Sequence, residues 1–223
     1  MKKFIYMVAS LAFLTACHST TTTENKAETT QATATTEQTT QKSNGQADLS
    51  LGIQMVVNKK HKLPADYNPG ENPISGEKVR ELIQKMQELG FSISNQYSGF
   101  RSYEYQSQLY QNYVNKDGKE AADTYSARPG YSEHQTGLAF DILNGAGGLL
   151  GENPQDEKAV EWLHSHAHEY GFIVRFQEGK EAITGYQAEA WHLRYVGDIA
   201  EQIYTSKLTL EEYFGVEGGN YAD

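Results

Sequence analysis

Val79, Leu82, Ile83, Met86 and Leu89 recur every three or four residues, the spacing of one buried face of an α-helix. Ser75 stands where that helix needs a cap and Gly90 where it must stop. Phe91 to Tyr97 then alternates apolar with polar and is rich in strand formers. Ser102 caps a second predicted helix that runs to Val114, and Gly118 to Ser126 reads as a connecting segment with one helical turn. Leu138 to Leu143 is a predicted strand, followed by a Gly-rich loop from Asn144 to Gly151. A third helix is expected over Gln155 to Tyr170, ending before Gly171, and strands over Phe172 to Phe176 and Trp191 to Tyr195. Gly197 to Thr205 and Thr209 to Phe214 read as short helices, the second with Thr209 and Glu212 at capping-box spacing. There is no regular βαβ alternation and no internal repeat. The pattern predicts an α+β domain with a small, largely antiparallel sheet and flanking helices.

Ahead of this domain the pattern changes. Lys2 and Lys3 precede a short apolar run, Phe4 to Leu14, too short to span a bilayer as a stable helix. It leads into Leu14-Thr15-Ala16-Cys17, which resembles a bacterial lipobox, and Cys17 is the only cysteine of the 223 residues. Residues 1–16 are therefore expected to be a lipoprotein signal peptide and Cys17 a lipidated new N-terminus that anchors the protein to a membrane. The competing reading is a chance cysteine behind an ordinary leader. Residues 17–47 are mostly Thr, Gln, Glu, Ala and Ser and cannot bury enough surface to offset their ordering entropy. They are expected to be a disordered tether, with a root-mean-square reach of roughly 30 Å, leaving 48–223 as the domain. A net charge of −10 with no basic stripe argues against nucleic acid and against anionic lipid as charge-driven partners.

The candidate chemistry lies in Ser132-Glu133-His134-Gln135-Thr136-Gly137-Leu138-Ala139-Phe140-Asp141 and in Glu189-Ala190-Trp191-His192. Two imidazoles and one carboxylate, His134, Asp141 and His192, make a ligand set that suits zinc and leaves a fourth position open for water. A ligand in a turn followed by one on a strand fits the first spacing, with Gly137 letting the backbone bend. Glu189 is the expected general base, and then proton donor to the leaving amine. A strand would point Glu189 and His192 to opposite sides, so Glu189 is placed in the loop entering the strand, turned back toward the metal. The bland alternatives are a surface histidine and a surface carboxylate. Arg101 carries a planar, always charged guanidinium suited to a substrate carboxylate or a developing oxyanion, in a chain with few other buried-looking arginines; the alternative is an exposed salt bridge. Tyr186 and Trp191 are read as cleft walls or as core. His164, His166 and His168 lack a carboxylate or cysteine to complete a second site and read as a solvated helix face.

Together with Ser98-Gly99-Phe100-Arg101-Ser102, Pro129-Gly130-Tyr131-Ser132 and Trp191-His192-Leu193-Arg194-Tyr195-Val196-Gly197, these motifs resemble the VanY-like zinc D-alanyl carboxypeptidases, including the LdcB-type L,D-carboxypeptidases of Gram-positive cell walls. The likeness runs from Leu51 to Phe214. Ala190 replaces an expected proline and Phe100 an expected tyrosine, and neither change removes a reacting group. The resemblance implies helices against one side of the sheet and zinc, one per chain, in a surface cleft over the other. It implies that Arg101, Gln106 and Ser132 contact substrate, and that the substrate is a peptidoglycan stem peptide. The expected reaction is removal of the terminal D-alanine from tetrapeptide stems, by a monomer outside the cytoplasm facing the wall of a Gram-positive bacterium. D,D-hydrolysis of pentapeptide stems is the alternative within the class. A catalytically inactive, zinc-containing wall-binding lipoprotein is the alternative outside it, and the retention of Glu189 with all three ligands favours an enzyme. A metal-uptake lipoprotein, suggested by the histidine cluster, would need a two-lobed shape and more residues.

Overall fold

A computed structural model describes residues 45–222. The expected signal peptide, Cys17 and most of the expected tether lie outside the described residues. The last tether residues do not: Ala47 is buried with Met55, Val57 and Leu63, and its N–H donates to the Lys62 carbonyl at 2.9 Å. A small apolar side chain that closes a cluster is part of the folded unit.

Helix α1 spans Pro73–Glu88 and buries Val79, Leu82, Ile83 and Met86 of the predicted face, but the last residue of that face, Leu89, is the C-cap and is exposed. Its cap is Asn72 rather than Ser75. The Asn72 side chain accepts from the N–H groups of Ile74 and Ser75, and Pro73 takes the first helical position, where no N–H is needed. Ser75 sits inside the first turn and donates its hydroxyl to the carbonyls of Asn72 and Gly137, which ties α1 to the His134 turn.

Four strands follow, β1 (Ile93–Ser98), β2 (Ala139–Asn144), β3 (Phe172–Phe176) and β4 (Glu189–Tyr195), in one antiparallel sheet of order β1-β2-β4-β3. One face presents Phe140, Ile142, Phe172 and Leu193 to α1 and to Ala159 and Leu163 of α4 (Glu157–His166). Each large apolar side chain buried there stabilises by about 1.5–3 kcal/mol. Asp141 pairs with His192 and Ala139 with Arg194 across β2 and β4. Because strand side chains alternate, these pairs point to the opposite face. The sheet thus divides an apolar core from a polar face, as the α+β reading requires.

Two segments differ from the sequence pattern. Gly118 to Ser126 holds a full helix, α3 (Lys119–Tyr125), which packs on α2 (Tyr103–Asp117) through Tyr113 and Tyr125, and Ser102 caps α2 as expected. The third predicted helix is broken into a 3₁₀ turn at Pro154–Asp156, α4, and a second 3₁₀ turn at Ala167–Tyr170. The three histidines are not simply solvated. His164 Nε2 lies 3.1 Å from the Ala190 carbonyl, His166 stacks on Trp162, and His168 stacks on Tyr204. The His166 and His168 rings cover aromatic faces, whereas His164 stays exposed, as a solvated helix face requires. Short helices α5 (Glu181–Thr184), α6 (Ala200–Ser206) and α7 (Leu210–Phe214) complete the described residues, and the Thr209–Glu212 capping box is formed.

Candidate active site

His134, Asp141 and His192 are all buried, and one ligand atom from each lies within 4.8 Å of the others. His134 sits in the 3₁₀ turn Glu133–Thr136, which Gly137 ends with φ 73°. No side chain fits at Gly137, because a Cβ would collide with the Gly70 carbonyl. The turn is held from outside by Gln135, whose amide donates to the carbonyls of Pro64 and Tyr67 at 2.9 Å. Asp141 and His192 face each other across β2 and β4, with His192 Nδ1 3.1 Å from Asp141 Oδ1.

The tautomer of His134 follows from its partner. Nδ1 lies 2.7 Å from the Gly99 carbonyl, which can only accept, so Nδ1 carries the proton and the Nε2 lone pair points into the site. Burial, reinforced by the Arg101 cation, lowers the His134 pKa to about 4. Burial also opposes charge on His192, but hydrogen bonds and charge from Asp141, Glu133 and Glu189 outweigh it and raise its pKa to about 9. Burial would raise Asp141 as well, yet the two imidazoles hold its carboxyl well below the ordinary range.

Glu189 reaches this trio by a route that the sequence reading did not contain. It is the first residue of β4, not a residue of the preceding loop. Val174 pairs with Leu193 and Phe176 with Glu189, so two steps along β3 oppose four along β4. This irregularity breaks the alternation and brings Glu189 Oε2 within 3.4 Å of His192 Nδ1. Burial pushes the Glu189 carboxyl up to about 7, with Asp141 adding to the shift and His192 opposing it.

A functional residue missed by the sequence reading is Glu133. Its side chain is buried, with Oε1 accepting from Arg175 Nε at 2.9 Å and from Arg194 Nη1 at 2.8 Å. Oε2 stands 3.6 Å from His192 Nε2, and neither of those two atoms has another partner. Burial would raise the Glu133 pKa, but the two guanidinium groups hold it far below the carboxylate range. A charged Glu133 therefore favours the proton on Nε2, so that the proton a cation would displace is the one on Nδ1, which faces Asp141 and Glu189. Arg175 is also paired with Glu211, and Arg194 donates to the carbonyls of Ile53 and Met55. Both arginines are fully buried, which corrects the expectation that the chain has few such residues. Their signal was present, since each interrupts an apolar strand and needs an acid partner.

The remaining predicted residues line one cleft of about 460 Å³ that runs over the trio. Arg101, its one lysine or arginine lining residue among those described, has Nη2 3.5 Å from Asp141 Oδ2 and a buried Nε without a partner. Its backbone N–H is bonded to the His134 carbonyl at 3.2 Å, so it moves with the metal turn. Gln106 is buried and donates to the Ala127 carbonyl at 2.7 Å, leaving Oε1 unpartnered. Ser132 is buried beside Glu133, and its side chain does not cap the turn. Tyr186 is buried against Phe176, which in turn packs on the His192 ring at 4.8 Å. Trp191 is both wall and core, since it lines the cleft and packs on the main apolar cluster.

Three buried donors converge, and His134 Nε2 and Asp141 Oδ1 have no hydrogen-bond partner. Unpartnered buried polar atoms are costly unless something else satisfies them. Two imidazole nitrogens and a carboxylate, each backed by a second partner, fit a small divalent cation of the zinc type.

Residues 71–198 match the family described as VanY, D-alanyl-D-alanine carboxypeptidase. The chain is 36% identical over 183 residues to the Bacillus subtilis protein YodJ, covering 73% of this chain and 67% of that one. It is similar to the crystal structure of an L,D-carboxypeptidase, DacB, from Streptococcus pneumoniae, with 60% identity, a TM-score of 0.72, and coverage of 75% of this chain and 89% of that one. It is also similar to a variant of the vancomycin resistance D,D-pentapeptidase VanY in complex with Zn(II), with 31% identity, a TM-score of 0.61, and coverage of 72% and 98%.

Proposed function

The chain belongs to the VanY family of carboxypeptidases, and from that premise we propose that it is a zinc-dependent L,D-carboxypeptidase that removes the C-terminal D-alanine from peptidoglycan stem tetrapeptides. The observation that carries the reading is the convergence of His134, Asp141 and His192 with Glu189 in one buried cluster under a cleft that also holds Arg101. Zinc held by His134 Nε2, Asp141 and His192 Nδ1 would supply Lewis acidity for the scissile carbonyl and lower the pKa of a water.

The chain's own residues do the rest. Glu189, buried at the rim of the trio with its pKa near 7, takes a proton from the attacking water and returns it to the leaving amine. Arg101 lines the cleft with its Nε unpartnered and its Nη2 held only by the 3.5 Å contact to Asp141, which suits it to the terminal carboxylate or the developing oxyanion. Gln106 and Ser132 line the same cleft and are assigned to the D-alanine end. Glu133 orients His192 and does not touch substrate.

The L,D assignment rests on 60% identity to an L,D-carboxypeptidase against 31% to a D,D-pentapeptidase. The family description, D-alanyl-D-alanine carboxypeptidase, supports the D,D reading as the runner-up. We further propose that Cys17 carries a lipid anchor and that residues 18–44 tether a monomeric domain outside the cytoplasm, next to the wall polymer; this rests on the Leu14-Thr15-Ala16-Cys17 sequence. The test is D-alanine release from a tetrapeptide stem by the protein as isolated, after chelation, and after zinc is restored. Activity lost on chelation and regained with zinc is the expected result. Release that continues at full rate in the chelated protein would overturn the zinc assignment, and a zinc-loaded protein that releases nothing would reduce it to a binding protein.

A further inference from the structure

The segment after α7 returns to the active-site cleft. Asn58 Nδ2 donates to the Glu217 carbonyl at 3.1 Å, and Gly219 N–H donates to the Ile183 carbonyl at 2.6 Å. The fit is close enough that a Cβ at Gly218 would collide with the Ile183 carbonyl and one at Gly185 with the Gly219 carbonyl. The segment is therefore locked to the turn that precedes Tyr186, and it delivers Tyr221 against Tyr131 and Tyr186.

Tyr221 touches two residues that line the cleft. Its ring packs edge-on against Tyr131 at 5.1 Å, next to Ser132, and its hydroxyl lies 3.4 Å from the Tyr186 hydroxyl. The same hydroxyl accepts from the Arg128 N–H at 2.9 Å, and the Arg128 guanidinium covers the ring at 3.8 Å. Lys59 Nζ sits over the Tyr186 ring at 4.2 Å and lies 5.2 Å from the Tyr221 ring. Tyr131 and Tyr186 both line the cleft, whereas Tyr221 does not. From Tyr186 the packing continues through Phe176 to His192. Tyr221 stands outside the stretch 71–198 that carries the family match.

We propose that Tyr221 is a positioning residue that fixes Tyr131 and Tyr186 together and so sets the width of the substrate end of the cleft. The proposal rests on the reading of this cleft as the carboxypeptidase site. A ring held by edge-to-face packing, two cations and two hydroxyl contacts has one orientation, and the tyrosines on it inherit that order. Loss of the anchor widens the pocket without touching the metal trio, so substrate binding suffers more than turnover.

The test compares wild type, Tyr221→Phe and Tyr221→Ala in the full chain. Tyr221→Ala should raise KM for the tetrapeptide on the order of tenfold, with kcat within about threefold and zinc content unchanged. Tyr221→Phe keeps the ring contacts and loses the hydroxyl, so its KM should fall between the two. NMR of labelled tyrosine rings should show Tyr131 and Tyr186 shifted or broadened in Tyr221→Ala while the His134 signals stay in place. An unchanged KM, or a loss of kcat that tracks zinc loss or a fall in Tm, would overturn the positioning role. If wild type releases no D-alanine from any stem, the functional reading fails, and the ring spectra decide alone: unmoved Tyr131 and Tyr186 signals would overturn the proposal.

Discussion

Glu133→Gln removes one charge and almost no volume from the buried cluster behind His192. In the wild type one carboxylate serves Arg175 at 2.9 Å, Arg194 at 2.8 Å and His192 at 3.6 Å. Breaking a buried ion pair by neutralising one partner costs about 3–5 kcal/mol, because the other charge stays buried. Arg175 keeps Glu211, and Arg194 keeps the carbonyls of Ile53, Met55 and Tyr195, which places the expected loss at the low end, about 3 kcal/mol. For a domain of this size each kcal/mol shifts Tm by about 2–4 °C, so metal-free Glu133→Gln should melt roughly 6–12 °C below wild type. The second effect is on the metal. Loss of an outer-shell partner of a ligating histidine lowers affinity by about 10- to 100-fold. Calorimetric melting of the metal-free proteins and zinc titration against a chelating dye measure the two effects separately. A variant with wild-type Tm and wild-type zinc affinity would refute the network as described. A lower Tm with unchanged zinc affinity would leave Glu133 a scaffold residue and remove its role in orienting His192.

Glu189→Gln should keep its zinc and lose about 10²- to 10⁴-fold in kcat, read by metal analysis and D-alanine release; wild-type turnover would place the base elsewhere. Arg101→Ala should lower kcat/KM far more than Arg101→Lys, which keeps the charge but not the fork, and amidating the peptide's C-terminus should reproduce the defect in wild type. Asp123 links α3 to the Tyr221 cluster: burial opposes its charge, but Arg128 at 2.7 Å and Tyr110 hold its carboxyl below the ordinary value. A depressed carboxylate contributes stability that is complete above the unfolded value, about pH 4, and is lost as pH falls through the folded one. Asp123→Asn should therefore lower Tm at neutral pH and flatten the acid limb of the Tm–pH curve, and an unaltered limb would contradict the pairing.

Local pattern carried much of this molecule. The Ser102 cap, the Thr209–Glu212 box and the strand Phe172–Phe176 depend on neighbours within a few residues and stand as the sequence reads. Asn72-Pro73 was also a local signal, and it outranked Ser75 because proline fixes the first helical turn. The site is legible only in part. His134, Asp141, His192 and Glu189 come together as the motifs imply, but Glu189 arrives through a register irregularity between β3 and β4. No local pattern in β4 contains that irregularity, since it belongs to the pairing of two strands. Glu133 was invisible for the same reason: its partners Arg175 and Arg194 lie on two different strands, and only the fold shows that one carboxylate serves both. Tyr221 gains its meaning from contacts with Tyr131 and Tyr186, far away in sequence.

The most direct measurement is a competition in one tube. Equimolar tetrapeptide and pentapeptide stems are given to the zinc-loaded protein, and D-alanine loss from each is followed by mass. The account predicts that the tetrapeptide is consumed first, since a D-alanine in place of the L-residue beside the scissile bond would displace the carbonyl, and such misplacement costs on the order of 10²-fold. Equal consumption, or preference for the pentapeptide, would contradict the L,D assignment.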